Sequence, residues 1–234
     1  MSTPTRFTYG ISTARKGTVF GDLPEPSPRV LHEDFDDFNR FAAAEWTITR
    51  VGTTPTEALI DETFGILRLT TVASAASSTF LQKVGASFLP LPNKQLWFNT
   101  RFKVSDALDT TFAFGLQVTD TTPLDVTDGI YFLKAAGVAT VDAICRKDAT
   151  TGSISRTSVA TMASDTYIEL GFFYDGRRYL NLFVNNRNVV DIDLTATPAT
   201  FLPDTVLRVS FGVQNGASTA RTCDVDYLYA ALER

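Results

Sequence analysis

The chain of 234 residues has one histidine, two cysteines, two methionines and two tryptophans. Each scarcity removes a chemistry. The lone imidazole, His32, has no Gly-x-Ser-x-Gly partner and sits beside Glu33 and Asp34, so no Ser-His-Asp relay is supported and it reads as a surface side chain. Cys145 and Cys223 lie in separate strand-like runs with no Cys-x-x-Cys, which excludes a zinc site of ordinary ligand spacing. They read as buried, reduced thiols, with a disulfide between them left open. No Gly-x-Gly-x-x-Gly or Walker-type loop occurs, so no phosphate cradle is expected. No apolar run approaches the roughly 18 residues of a membrane-spanning helix, and the N-terminus has no signal-peptide apolar region. A basic excess is missing as well: the net charge is −5 and the pI about 4.9. Binding to nucleic acid through a basic face is therefore not expected. These absences predict a chain made in a cytoplasm, with no cofactor, no membrane and no nucleic acid.

What the chain has is alternation. Ile168, Leu170, Phe172 and Tyr174 share one face of a run that ends at Asp175-Gly176. Leu180, Leu182 and Val184 do the same before Asn185-Asn186, and Val190, Ile192 and Leu194 follow. A period of two is the pleat of a half-buried strand, and Asp-Gly and Asn-Asn tolerate the positive φ of tight hairpins. The segment reads as an antiparallel meander. Similar runs are expected near 46–51, 65–71, 78–84, 95–104, 111–118, 129–134, 138–146, 153–159, 206–214 and 222–232. No window has a helical period, although Arg40 to Ala44 fits a single turn. The 18 phenylalanines suit the interior between two stacked sheets. The fold class is therefore all-β: a two-sheet antiparallel β-sandwich over residues 33–234.

Residues 1–32 differ from the body. They have little periodicity, carry Pro24, Pro26 and Pro28, and are net positive through Arg6, Arg15, Lys16 and Arg29 against Asp22 and Glu25. They read as an extended N-terminal arm. A polar, proline-punctuated segment cannot bury enough of itself to offset its ordering entropy, so it needs a surface to lie on. The reading is an arm laid across a neighbouring subunit. Phe7, Tyr9, Ile11, Val19 and Phe20 would be its apolar anchors, and Arg6, Arg15 and Lys16 would meet acidic surfaces.

Three pieces together resemble a concanavalin A-like, laminin G-like jelly roll. They are Asp36-Asp37-Phe38-Asn39 with Trp46 and Gly65-Ile66-Leu67-Arg68-Leu69; the 168–194 meander; and Val209-Ser210-Phe211-Gly212-Val213 with Asp224-Val225-Asp226-Tyr227-Leu228. The resemblance implies that the first and last strands pair and that the middle hairpin belongs to the back sheet. Such sandwiches carry lectins, glycanases, adhesion modules and virion proteins alike, so fold does not give function. Retaining glycosidases need two carboxyl groups about 5–5.5 Å apart. The nearest same-face pairs, Asp191 with Asp193 and Asp224 with Asp226, offer aspartate only and read as solvated strand faces. An enzyme is not expected.

Two binding chemistries remain. The polar loop 119–128 offers Asp120, Asp125 and Asp128 as calcium candidates, although these are also ordinary turn formers. Trp97 lies on the polar face of its strand beside Asn99 and Arg101, a candidate glycan platform. The cluster Glu33, Asp34, Asp36 and Asp37 reads as a charged edge strand. The resemblance extends to the head-decoration, or cement, proteins of tailed bacteriophages. It implies a structural virion protein on the outer capsid surface, with the major capsid protein and further copies of itself as partners. A trimer would come first and a dimer second. The alternative is a carbohydrate-binding, lectin-like module or a phage receptor-binding protein.

Overall fold

The structure is a computed structural model that describes residues 18–19, 31–60, 65–149, 154–194 and 201–234. Among the described residues, eight strands form one sheet. Seven of them run in the order β13 (Arg187–Asp193), β12 (Tyr179–Val184), β11 (Ile168–Tyr174), β6 (Leu96–Val104), β15 (Thr222–Glu233), β4 (Ile66–Thr70) and β3 (Thr56–Ile60). The eighth, β1 (Leu31–Asp36), pairs with the later half of β15. Seven strands form the other sheet: β10 (Ile154–Thr161), β9 (Thr140–Arg146), β8 (Gly129–Lys134), β7 (Thr110–Gln117), β14 (Arg208–Asn215), β5 (Ser78–Lys83) and β2 (Trp46–Val51). Every pairing is antiparallel. A 3-10 turn, Ala43–Glu45, falls where the sequence allows one turn.

The first and last described strands pair, from Leu31 opposite Glu233 to Asp36 opposite Leu228. β1 begins at Leu31, two residues ahead of the expected arm boundary. The meander is β11–β12–β13. Its hairpins use the turn residues the sequence marked: Gly176 has φ +77°, Asn185 +48° and Asn186 +59°.

Phenylalanines from both sheets fill the interior. Phe102 of β6 stacks on Phe114 of β7 at 4.0 Å between ring centroids, with Phe112 edge-on at 5.0 Å. Phe98 stacks on Phe172 within the eight-stranded sheet, and Phe211 meets Trp46 edge-on at 5.2 Å. These rings are buried, and their burial is the main favourable contribution to folding. Cys145 and Cys223 are buried free thiols, which answers the pairing question. Burial pushes the Cys145 thiol up to about 12 and the Cys223 thiol well above its ordinary value.

Each sheet also has a covered patch on its outer face. On the seven-stranded sheet the 118–128 loop folds back, and Val126, Phe80, Tyr131, Ala113 and Ile144 form a small second core. Buried polar groups fasten that loop. Gln82 Nε2 donates to the Val118 carbonyl, Gln117 Nε2 to the Pro123 carbonyl, and Ser210 Oγ to Gln117 Oε1. Asp120 N closes the network by donating to Gln82 Oε1. Buried and mutually satisfied, these amides hold the loop as firmly as an apolar contact would. What remains open beside it is a hollow of about 200 Å³ bordered by Phe80 and Leu124.

Candidate functional site

The strand alternation puts Trp97, Asn99, Arg101 and Lys103 on the outer face of β6, as the sequence indicates, but an outer face is not always an open one. Trp97 is 0% exposed: it stacks on Phe173 at 5.3 Å and clusters with Val19, Leu31, Phe183 and Ala231. The exposed glycan platform expected at Trp97 is therefore corrected. Neighbouring strands supply aromatic flanks and the arm supplies a cap. The indole Nε1–H is buried with no acceptor, an omission that costs about 1–3 kcal/mol. Asn99 is buried too, donating to Glu169 Oε1 at 2.7 Å and to the Tyr227 hydroxyl at 3.1 Å. Burial, with Glu169 adding, raises the Tyr227 phenol far above its ordinary range. Of the three expected glycan contacts only Arg101 reaches solvent. It pairs with Asp226 and lies over the Tyr167 ring at 4.1 Å.

Val19, one of the expected arm anchors, is 1% exposed and clusters with Leu31, Trp97, Phe173, Phe183 and Ala231 of its own chain. The other expected arm contacts, Arg6, Phe7, Tyr9, Ile11, Arg15, Lys16 and Phe20, lie outside the described residues.

The three calcium candidates do not converge. Asp120 Oδ1 accepts from both the backbone and the hydroxyl of Thr122 at 2.8 Å, closing its own turn. Asp125 pairs with Arg146 at 2.5 Å. Asp128 alone turns away, to meet Asp148 and Asp204 with carboxylate oxygens within 4.8 Å of one another. These are oxygen ligands of the kind Ca²⁺ takes. Lys147 Nζ, however, stands 2.5 Å from Asp204 and feels Asp148 and Asp128 as well, so an ammonium already neutralises part of the cluster.

The carboxylates considered for hydrolysis are each tied to a neighbour. Asp191 accepts from the side-chain amides of Asn181 and Asn188, and Asp193 takes Arg178 in a two-point contact. Asp224 is 2% exposed beneath a two-point Arg68 contact at 2.6 and 2.7 Å, with Lys103 at 3.4 Å, so it is not the solvated residue expected.

A recess larger than the hollow beside Phe80 lies elsewhere, at one end of the sandwich. It is a cleft of about 530 Å³ where loops of both sheets meet. One wall is the β11–β12 turn. Asp175 Oδ1 accepts from the backbone amides of Arg177, Arg178 and Tyr179 at 2.7–2.9 Å, and Gly176 adopts the left-handed conformation. The opposite lip, Pro90 to Asn93, rests directly on that turn: Asn93 N donates to the Gly176 carbonyl at 2.6 Å. A Cβ on Gly176 would stand 2.6 Å from Lys94 N, so only glycine permits the contact. Leu202, Pro203 and Asp204, with Lys147 after β9, complete the lining beside the carboxylate cluster. Arg178 is engaged by Asp193, while the Arg177 guanidinium has no carboxylate partner among the described residues. The cleft thus joins proline and leucine surface to a few polar groups at its mouth, the usual composition of a small-ligand site. Sequence reasoning missed Asn93, Lys147, Arg177 and Asp204. The Pro-Leu-Pro-Asn and Asp-Gly-Arg-Arg turns mark two loops, but nothing in the sequence brings them together.

No protein-family model matches the chain, and no curated protein matches it in sequence. Solved structures do match. The carbohydrate recognition domain of Emp47p is 16% identical with a TM-score of 0.56, covering 88% of this chain and 98% of that one. An endo-beta-1,4-glucuronan lyase from the fungus Trichoderma reesei is 10% identical with a TM-score of 0.57, covering 85% and 94%. A protein of unknown function from Shewanella oneidensis MR-1, SO2946, is 14% identical with a TM-score of 0.60, covering 87% of each chain. The fold is a concanavalin A-like jelly roll. At these identities the likeness establishes the fold alone.

Proposed function

We propose that the chain is a carbohydrate-binding, lectin-like module whose end cleft seats a sugar. The observation that carries this is the cleft itself. Sugars present apolar C–H faces and a rim of hydroxyls, and the cleft offers Pro90, Pro92, Leu202 and Pro203 for the first and Asn93, Arg177 and Asp204 for the second. The loops that wall it are fixed by the Asp175 bonds and the Gly176–Asn93 contact, so little ordering is needed on binding. The fold is shared with a carbohydrate recognition domain and with a glycan-degrading lyase, which supports this reading over virion attachment.

A glycan array probed with the full chain tests the proposal. A discrete set of related glycans is expected to bind. Arg177→Ala and Asn93→Ala should weaken those hits roughly 10- to 100-fold, the loss of one hydrogen bond to a charged or fixed polar group. Arg178→Ala, already committed to Asp193, should leave them in place. An array with no hits, or hits indifferent to Arg177 and Asn93, overturns the reading.

A further inference from the structure

Given the carbohydrate-binding reading of the end cleft, on which this rests, we infer that the cleft selects acidic sugars and holds the carboxylate of a uronic acid residue between Arg177 and Asn93. Lys94, Lys147, Arg177 and Arg178 stand on or beside the loops that wall the cleft. Three of these cations are engaged. Lys94 Nζ donates to the Arg234 carbonyl, and Lys147 Nζ stands 2.5 Å from Asp204. Arg178 takes Asp193 in a two-point contact and lies over the Tyr179 ring at 4.8 Å. Arg177 is the exception. Among the described residues its guanidinium makes no hydrogen bond or ion pair, and neither does the side-chain amide of Asn93.

The backbone brings these two open groups together. Asn93 N donates at 2.6 Å to the carbonyl of Gly176, the residue before Arg177, and Asn93 itself adopts a left-handed φ of +61°. Asp175 Oδ1 accepts from the Arg177 amide at 2.8 Å and fixes the same turn from within. Donors from two loops are thus placed side by side on the lining of one cleft. A guanidinium presents its N–H groups as a planar fork, which the two oxygens of one carboxylate fill and a single hydroxyl does not. The Asn93 amide adds a further donor for the remaining lone pairs. Charge-assisted bonds of this kind are about twice as strong as neutral ones, so a uronate uses the site more fully than a neutral sugar does. The acidic residues beside the cleft belong to Lys147. Asp204 pairs with it, Asp128 and Asp148 adjoin Asp204, and none of the three pairs with Arg177.

The test titrates the full chain calorimetrically with matched pairs of hexasaccharides that differ only in oxidation at C6. The pairs are β-1,4-glucose against β-1,4-glucuronate, α-1,4-galactose against α-1,4-galacturonate, and β-1,4-mannose against β-1,4-mannuronate. In at least one pair the uronate is expected to bind about ten-fold or more tighter than its neutral partner, the worth of one hydrogen bond to a charged group. Arg177→Gln, which keeps a donor but neither the charge nor the fork, should remove most of that difference. Arg177→Lys, which keeps the charge alone, should restore only part of it, and Arg178→Ala should leave it whole. A preference for uronate that survives Arg177→Gln in full, or that disappears with Arg178→Ala, overturns the assignment. Neutral sugars that bind as tightly as their uronates, or array hits confined to neutral or sulfated glycans and lost in Arg177→Ala, overturn the acidic class and leave the cleft a sugar site. No binding in any pair and no array hit overturn both.

Discussion

Truncation of Phe102 to alanine is expected to destabilise the chain by about 3–5 kcal/mol, the usual cost of removing a phenyl ring from a packed core. Phe102 is 0% exposed and makes the shortest ring-to-ring contact between the two sheets among the described aromatic pairs. Its ring lies 4.0 Å from Phe114 and nearly parallel to it, and 5.0 Å from Phe112. Whole domains are stable by only about 5–15 kcal/mol, so the loss is a large share of the total. Phe102→Leu, which keeps most of the volume, should cost about a third as much. Urea midpoints of the three proteins at one pH give the answer, and a Phe102→Ala cost below about 1 kcal/mol would mean that the sheets do not meet through this stack.

Alkaline pH should first strengthen the fold and then weaken it. Lys134 is 0% exposed, and its ammonium donates to the carbonyls of Leu108 and Thr110. Burial brings it down to about 8 from an ordinary 10.5, against the opposing pull of Asp106 and Asp109. Between those values the unfolded chain holds a proton that the folded chain has lost, so stability rises with pH. The gain is about 1 kcal/mol from pH 8 to 9. Cys145 and Cys223 act in the opposite sense. Their folded thiols are raised by burial, so from about 9.0 upward the unfolded chain releases two protons that the folded chain keeps. Two thiols outweigh one ammonium, and above 10.0 the raised phenols of Tyr131, Tyr174, Tyr227 and Tyr229 add to the fall. Urea midpoints from pH 7 to 10.5 should therefore pass through a maximum near 9, and Lys134→Met should remove the rising limb. A parent curve that declines steadily from pH 7 would contradict this account of Lys134.

Alternation carried most of the architecture. Runs expected at 46–51 and 129–134 coincide with β2 and β8, and the meander formed with its marked turns. β3 was not visible because Thr-Glu-Ala-Leu-Ile has no clean period of two, and its pairing with β4 is set by tertiary context. The site was legible only in fragments. A period of two tells which side of a sheet Trp97 occupies but not what lies over it, and Val19 is 78 residues away in sequence. Asp120, Asp125 and Asp128 sit within nine residues, yet each finds a different partner, because a loop folded against a sheet points its side chains in several directions. The cleft was invisible for the converse reason. Asn93, Lys147, Arg177 and Asp204 belong to four separate loops, which meet only because the two sheets stack.

The most direct test of the carbohydrate-binding reading is to map where the best array ligand sits, by following backbone amide shifts of the full chain during titration. The account predicts saturable shifts centred on Asn93, Lys94, Gly176 and Arg177, extending to Lys147 and Asp204, and absent in Arg177→Ala. Shifts confined to the outer face of the seven-stranded sheet around Phe80 and Tyr131, or no saturable shift with any array ligand, would contradict it.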